Sequence, residues 1–215
     1  MSKNETIQFN DSTSVGKVKV YDPYQKSVSN DELSVQFLSD DWECKLVEPK
    51  HPALHTRANI NPFDVQDIDW AEREKEMFQL MHDKFGIGLA CPQIGQSYNM
   101  FVMNHLHLGD IGIYKPEILE YSEETCRYEE GCLSFPMLYL DVTRPERIKV
   151  KYYKSDGETQ VETWMDGRDA RCFQHEYDHL YGDLFIDKVS DLKLQRAFKK
   201  REKFFKKLEK QMKNA

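Results

Sequence analysis

Gln174-His175-Glu176-Tyr177-Asp178-His179-Leu180 sets two imidazoles four residues apart, with a carboxylate directly after the first. On a helix, residues i and i+4 project from one face about one turn apart. That is the spacing two ligands of a single cation require. Glu176 then stands beside the cation rather than on it, where it can take a proton from a metal-bound water. The chemistry is metal-assisted hydrolysis with Glu176 as general base. Taken alone, the pattern leaves a blander alternative open: two histidines capping or lining a core.

A hydrolytic metal site needs a third protein ligand and an open fourth position. No histidine follows His179, and the acidic residues downstream are Asp183, Asp187, Asp191, Glu202 and Glu209, most of them in or near a basic helix. Upstream, Cys132 lies in Glu129-Glu130-Gly131-Cys132-Leu133-Ser134, at the end of a β-type segment. A cysteine there is a credible third ligand. The competing reading of a lone cysteine is a small buried hydrophobe, and that reading is given to Cys44 and Cys126. A third segment, Gly86-Ile87-Gly88-Leu89-Ala90-Cys91-Pro92-Gln93, has two glycines that let a backbone approach a ligand or partner strand. Gln93 can donate an amide hydrogen to an oxyanion.

Arg168–Leu180 reads as the helix that carries the heptad, its buried side using Cys172, His175 and His179. An earlier helix runs from about Trp70 to Phe85, with Asp69 as N-cap and Glu72 at the third helical position. Met77, Leu80, Met81 and Lys84/Phe85 form its apolar stripe, and Gly86 is placed to end it in a left-handed conformation. Strands are expected at Gly88–Ala90, Asn99–Met103, Gly112–Tyr114 and Arg147–Tyr153. Another follows at Gln160–Trp164, after the turn signal Lys154-Ser155-Asp156-Gly157. A last helix covers Asp191–Lys213, with Leu194, Phe198, Phe205, Leu208 and Met212 on one side and Lys/Arg over the rest. This order predicts an α+β fold with helices on one side of mostly antiparallel strands. The HExxH helix is central, with an N-terminal helix and a basic C-terminal helix. Residues 1–41 read as a polar arm with β-like alternation at 18–21 and 35–38, residues 42–190 as the catalytic domain, and residues 191–215 as a basic amphipathic helix packed on it.

The 215 residues carry a net charge of −7, which argues against a protein that coats DNA with its whole surface. From Lys188 to the end, eleven Lys/Arg face three Asp/Glu, a local +8 that leaves −15 on residues 1–187. An acidic body with a basic tail suggests that only the tail seeks an anionic partner. Five cysteines without a C-x-x-C pair fit a reducing compartment, so a cytoplasmic protein is expected, an organelle being the alternative. No apolar run approaches the roughly 20 residues of a bilayer span, so no membrane partner is expected.

GIGLACPQ, EGCLS and QHEYDHLYG together resemble the three signature motifs of peptide deformylases, in their order and at similar spacing. The likeness extends to Tyr114-Lys115-Pro116-Glu117-Ile118 and Leu184-Phe185-Ile186-Asp187, and covers roughly residues 45–210. It implies a co-translational hydrolase that removes the formyl group from the N-terminal formyl-methionine of nascent polypeptides. By resemblance Cys132, His175 and His179 bind one divalent metal, typically Fe2+, replaceable by Zn2+, Ni2+ or Co2+, with a metal-bound water as nucleophile. Glu176 is the general base and acid, and Gln93 with the Leu133 N–H stabilises the oxyanion. Peptide binding is partly strand addition near Ile87 and Gly88. Ile87, Glu130, Cys172 and the aliphatic face of His175 match the methionine pocket. A monomer is expected.

Some positions depart from the family pattern. Cys91 stands where a second alanine is common, and packing is preferred to reactivity for it. Met137-Leu138-Tyr139-Leu140 stands where many members carry a basic residue, and Arg168 replaces a common apolar pocket residue. The basic C-terminal helix has two readings, packing on the domain and docking on the ribosome through RNA, with packing placed first.

Overall fold

The computed structural model describes residues 42–213 and two short strands, β1 (Thr6–Gln8) and β2 (Lys17–Lys19), which pair antiparallel. The alternation expected at 18–21 overlaps β2, and that expected at 35–38 lies outside the described residues. Seven further strands follow: β3 (Gly88–Ala90), β4 (Met100–His105), β5 (Gly109–Tyr121), β6 (Thr125–Gly131), β7 (Tyr139–Pro145), β8 (Arg147–Tyr153) and β9 (Gln160–Asp166). The long helices are α1 (Trp70–Asp83), α2 (Gly167–Leu180) and α3 (Asp191–Lys213). Among the described residues no helix is long and apolar enough to cross a membrane.

The fold is α+β. β3-β4-β5-β8-β9 form one antiparallel sheet, with β3 at its edge. Along β4, Met100 and Val102 pack with Met77 and Met81 of α1, whereas Phe101 and Met103 pack with Phe173 and Cys172 of α2. Side chains alternate across a strand, so α1 and α2 cover opposite faces of the sheet. This corrects the expectation of helices on one side. It also explains why Met100-Phe101-Val102-Met103 is an unbroken apolar run: both faces are dry.

α1 starts where the Asp69 carboxylate accepts from the Glu72 N–H at 3.1 Å. At its end Gly86 N–H donates to Met81 O (2.8 Å) and Phe85 N–H to His82 O (2.9 Å), the paired bonds of a Schellman cap. The left-handed residue is Phe85, φ 57°, and not Gly86 as expected. Gly86 is needed for space: a Cβ there would lie 2.8 Å from Leu133 Cδ1. The phenyl ring is 96% exposed and so leaves the apolar stripe, where half-buried Phe78 packs instead.

β5 is far longer than the three residues expected. It pairs β4 through Tyr114 and β8 from Tyr114 onward, with a register shift between Tyr114 and Glu117. Lys115 has φ 47° and is followed by Pro116, so the strand bends between its two partners.

β6 and β7 pair as a separate ribbon whose connection, residues 132–138, carries Cys132. β6 is the β-type segment expected to end at Cys132, though without bounds, whereas β7 is not among the expected strands. β6 buries only Glu130, so it shows no apolar alternation, and β7 buries Leu140, Val142 and Arg144. Leu140 and Val142 join Phe135, Leu138, Leu184, Phe185 and Ile186 in a third apolar cluster. α3 adds Leu194 and Ala197 to that cluster and is tied down by Lys193 to Asp141 O and by Arg201 Nε to Pro136 O (2.8 Å). Beyond its first turns the expected packing is lacking. Of the expected stripe, Phe198, Leu208 and Met212 are 36–74% exposed and Phe205 is half-buried.

Candidate metal centre and active site

Three elements converge on one point. α2 brings His175 and His179, the turn after β6 brings Cys132, and the short 3-10 turn Cys91–Ile94 after β3 brings Gln93. One ligand atom each from Cys132, His175 and His179 lies within 4.8 Å of the others, and Cys132 Sγ is 3.3 Å from His179 Nε2. Tetrahedral coordination, with metal–sulfur about 2.3 Å and metal–nitrogen about 2.0–2.1 Å, puts such atoms about 3.3–3.6 Å apart. Small side-chain shifts bring this trio to that spacing. The donor set of one soft sulfur and two imidazoles suits a first-row divalent cation.

The candidate donors are held from behind. His175 Nδ1 is 3.1 Å from Glu130 Oε2, which fixes that nitrogen as donor and turns Nε2 toward Cys132. Glu130 is itself gripped by buried Arg144, through Nε to Oε1 (2.6 Å) and Nη2 to Oε2 (2.9 Å), and by Arg171 Nη1 at 2.6 Å. Arg144 reaches on to Asp178 Oδ2 at 2.8 Å, which Lys188 also approaches at 3.0 Å. Asp178 in the heptad therefore serves the site through Arg144. Burial alone would push the Glu130 carboxyl up, but the hydrogen bonds from His175 and Arg144 and the Arg144 charge outweigh it and hold the group far below its ordinary range. Glu130 is thus committed to His175, an occupation different from the methionine pocket to which it was assigned.

The two imidazoles respond in opposite senses. Burial lowers His179 well below its ordinary value, with the His175 and Arg144 charges adding to the effect, so it is a neutral ligand-ready ring. Burial would also lower His175, yet the Cys132 sulfur and Glu130 beside it raise it to about 10. A cation entering the site takes the place of that proton, so binding releases it.

Glu176 is 4% exposed, and among the described residues its Oε2 has no hydrogen-bond partner. Burial pushes its carboxyl up to about 7, in the range of a working general base. It has room only because Gly88 lacks a side chain, since a Cβ there would overlap Glu176 Oε1. Gln93 is oriented by accepting from Ala90 N–H at 2.8 Å through Oε1. That assigns its amide and sends Nε2 toward Ser134 Oγ (3.2 Å) and Cys132 Sγ (3.5 Å). Leu133, whose N–H was named with it, follows Cys132 directly and packs half-buried against the Leu89 and Met81 cluster.

The Ile87–Gly88 segment lies against the face of α2 that carries Cys172 and Glu176. Ile87 is 44% exposed, and its carbonyl accepts from Asn104 N–H (2.9 Å) and the Cys172 thiol (3.2 Å), so its side chain is what faces a ligand. Cys172 is buried beneath it, and burial raises its thiol well above the ordinary value. Cys91 is fully buried, with Sγ 3.9 Å from Met77 Sδ, and packs as expected. The functional residue missed in the sequence is Arg144. Its signal was its phase: it shares the buried face of β7 with Leu140 and Val142, and a charge on that face must be paired.

Residues 44–195 match the family model described as polypeptide deformylase. A peptide deformylase of Thermotoga maritima is 45% identical over 143 residues, 66% of this chain and 84% of that one. The crystal structure of peptide deformylase from Thermotoga maritima aligns with TM-score 0.63 at 41% identity, over 68% of this chain and 97% of that one. That of a peptide deformylase from Synechococcus elongatus in complex with actinonin aligns with TM-score 0.67 at 33% identity, over 74% and 87%. With its three motifs gathered around one cation-sized gap, the chain belongs to the polypeptide deformylase family.

Proposed function

We propose that the chain hydrolyses the formyl group from the N-terminal formyl-methionine of nascent polypeptides, with Cys132, His175 and His179 holding one divalent cation. Fe2+ is the expected native ion, with Zn2+, Ni2+ or Co2+ as substitutes. The observation that supports this reading best is the convergence of those three donors beside the buried, unpartnered Oε2 of Glu176. A cation held there supplies Lewis acidity, lowering the pKa of a water toward neutrality and polarising a carbonyl.

The chain's own residues do the rest. Glu176 accepts the water proton at Oε2 and returns it to the departing amine nitrogen. Gln93 Nε2 and the Leu133 N–H donate to the oxygen that gains charge as the formyl carbon becomes tetrahedral. Glu130, through Nδ1, keeps the His175 ring in one tautomer and one orientation. The Ile87 side chain supplies apolar surface for methionine.

A metallopeptidase using the same helix would need a downstream acidic ligand, and Cys132 already stands 3.3 Å from His179. The test is purification without oxygen in the presence of Fe2+ or Ni2+, followed by turnover of formyl-Met-Ala-Ser. Formate release by the wild type, and loss of bound metal in Cys132→Ser, are expected. A fully loaded wild type that releases no formate contradicts the assignment. α3 adds a second role to the reading. Its largely exposed outer turns and the +8 charge of residues 188–215 suit docking on ribosomal RNA better than packing.

A further inference from the structure

α2 presents Arg168, Cys172 and Glu176 at four-residue steps along one face. The Ile87–Gly88 segment runs along that face, because Gly88 abuts Glu176 and the Ile87 carbonyl accepts from Cys172. Asn104 N–H donates to the same carbonyl. Arg168 Nη2 in turn donates to the Asn104 carbonyl (3.2 Å) and to its Oδ1 (3.0 Å). The exposed guanidinium therefore stands two turns beyond Glu176 on the α2 face that the Ile87–Gly88 segment follows.

This arginine is held in place without being neutralised. Asn104 Nδ2 donates to Asp110 Oδ1 at 2.8 Å, and Asp110 Oδ2 lies 2.7 Å from His82 Nε2, so a chain of polar contacts anchors the residue that anchors Arg168. Among the described residues no carboxylate forms an ion pair with Arg168. Its neighbour Asp169 is turned to the Leu106 N–H (3.1 Å) and to His105 Nε2 (3.4 Å).

Eight residues at a rise of about 1.5 Å place Arg168 about 12 Å from Glu176 along the helix. Its side chain leans further toward the helix N-terminus. An extended peptide advances about 3.3 Å per residue. A chain whose formyl carbon lies beside Glu176, and which follows the Ile87 wall, brings its third or fourth residue to the guanidinium.

We propose that Arg168 is a specificity-determining residue that reads a carboxylate side chain at the third or fourth position of the formyl-peptide. The inference rests on the deformylase reading above and adds a preference for Asp or Glu there. A planar guanidinium takes a carboxylate through two parallel hydrogen bonds. At an exposed site such a pair changes kcat/KM by about two- to five-fold.

The test uses C-terminally amidated peptides, formyl-Met-Ala-Xaa-Ala and formyl-Met-Ala-Ala-Xaa, with Xaa as Glu, Gln or Lys. Amidation removes the terminal carboxylate as a competing source of charge. At low salt the wild type is expected to favour Glu over Gln about two- to five-fold at one of the two positions, with Lys last. The preference shrinks at high salt, is lost in Arg168→Gln, and turns toward Lys in Arg168→Glu. Each comparison is made between peptides on one enzyme, so a general loss of activity in a variant does not hide the ratio. The wild-type ratio and its salt dependence decide the matter even if a variant does not fold. Equal rates for Glu and Gln at both positions, or an unchanged preference in Arg168→Gln, overturns the inference while leaving the deformylase reading intact. No turnover of any of these peptides overturns both.

Discussion

Gly88 and Glu176 occupy one shared volume: a single methyl group on the strand residue would overlap the carboxylate oxygen of the helix residue. The edge strand thereby sets the position of Glu176, the proposed base. Gly88→Ala is expected to displace Glu176 while leaving Cys132, His175 and His179 in place. A shift of about 1 Å in a positioned group costs about 100-fold in rate. Steady-state kinetics and metal analysis on one sample check this. The expected outcome is a fall of that order in kcat with full metal content, and near-normal kcat contradicts it.

Glu130 links stability to acidity. Its folded carboxyl is held far below the ordinary value of 4.5, chiefly by His175 and Arg144 overcoming the effect of burial. The folded state then binds fewer protons than the unfolded chain. The stabilisation is complete above about pH 4.5 and is lost as pH falls through the folded value. Glu130→Gln takes from Arg171 its carboxylate partner and leaves Arg144 with Asp178 alone, and is expected to cost about 3 kcal/mol at pH 7. The cost should shrink steadily below pH 4.5. Denaturant unfolding with a chelator present measures this without interference from metal binding. In the metal-loaded protein the same change should weaken metal affinity about 10–100-fold. A cost that stays constant from pH 7 to pH 3 would assign the stabilisation to packing instead.

The helix α3 divides into a packed start and a projecting remainder. Removing residues 202–215 spares Leu194, Ala197 and Arg201, so thermal stability and deformylase kinetics are expected to stay close to those of the full chain. Co-sedimentation with ribosomes should fall, with a shallower salt dependence, because Lys203, Lys206, Lys207, Lys210 and Lys213 are gone. Unchanged co-sedimentation removes the docking role.

The proposed catalytic set was legible because it consists of short motifs whose residue types have few other uses together. Cys132, His175 and His179 meet as their order and spacing implied, and α2 and α3 fall within one residue of their expected bounds. What was not legible depends on tertiary partners. β6 buries only Glu130 fully and Cys126 in part, so no apolar alternation marks its bounds. β5 is interrupted by Lys115-Pro116, which reads as a stop although it is a bend within one strand. The sidedness of the helices depends on both faces of β4 being covered, and a uniformly apolar run does not say by what. Arg144 was hidden because its partners Glu130 and Asp178 lie 14 and 34 residues away.

The central claim separates metal holding from proton movement, and Glu176→Gln tests that separation most directly. The change keeps the shape of the side chain and removes its basicity. Metal content and formate release from formyl-Met-Ala-Ser are measured on the same anaerobically loaded sample. The expected result is one metal per chain with kcat reduced by about 100- to 10,000-fold. Wild-type turnover in the loaded variant would contradict the account.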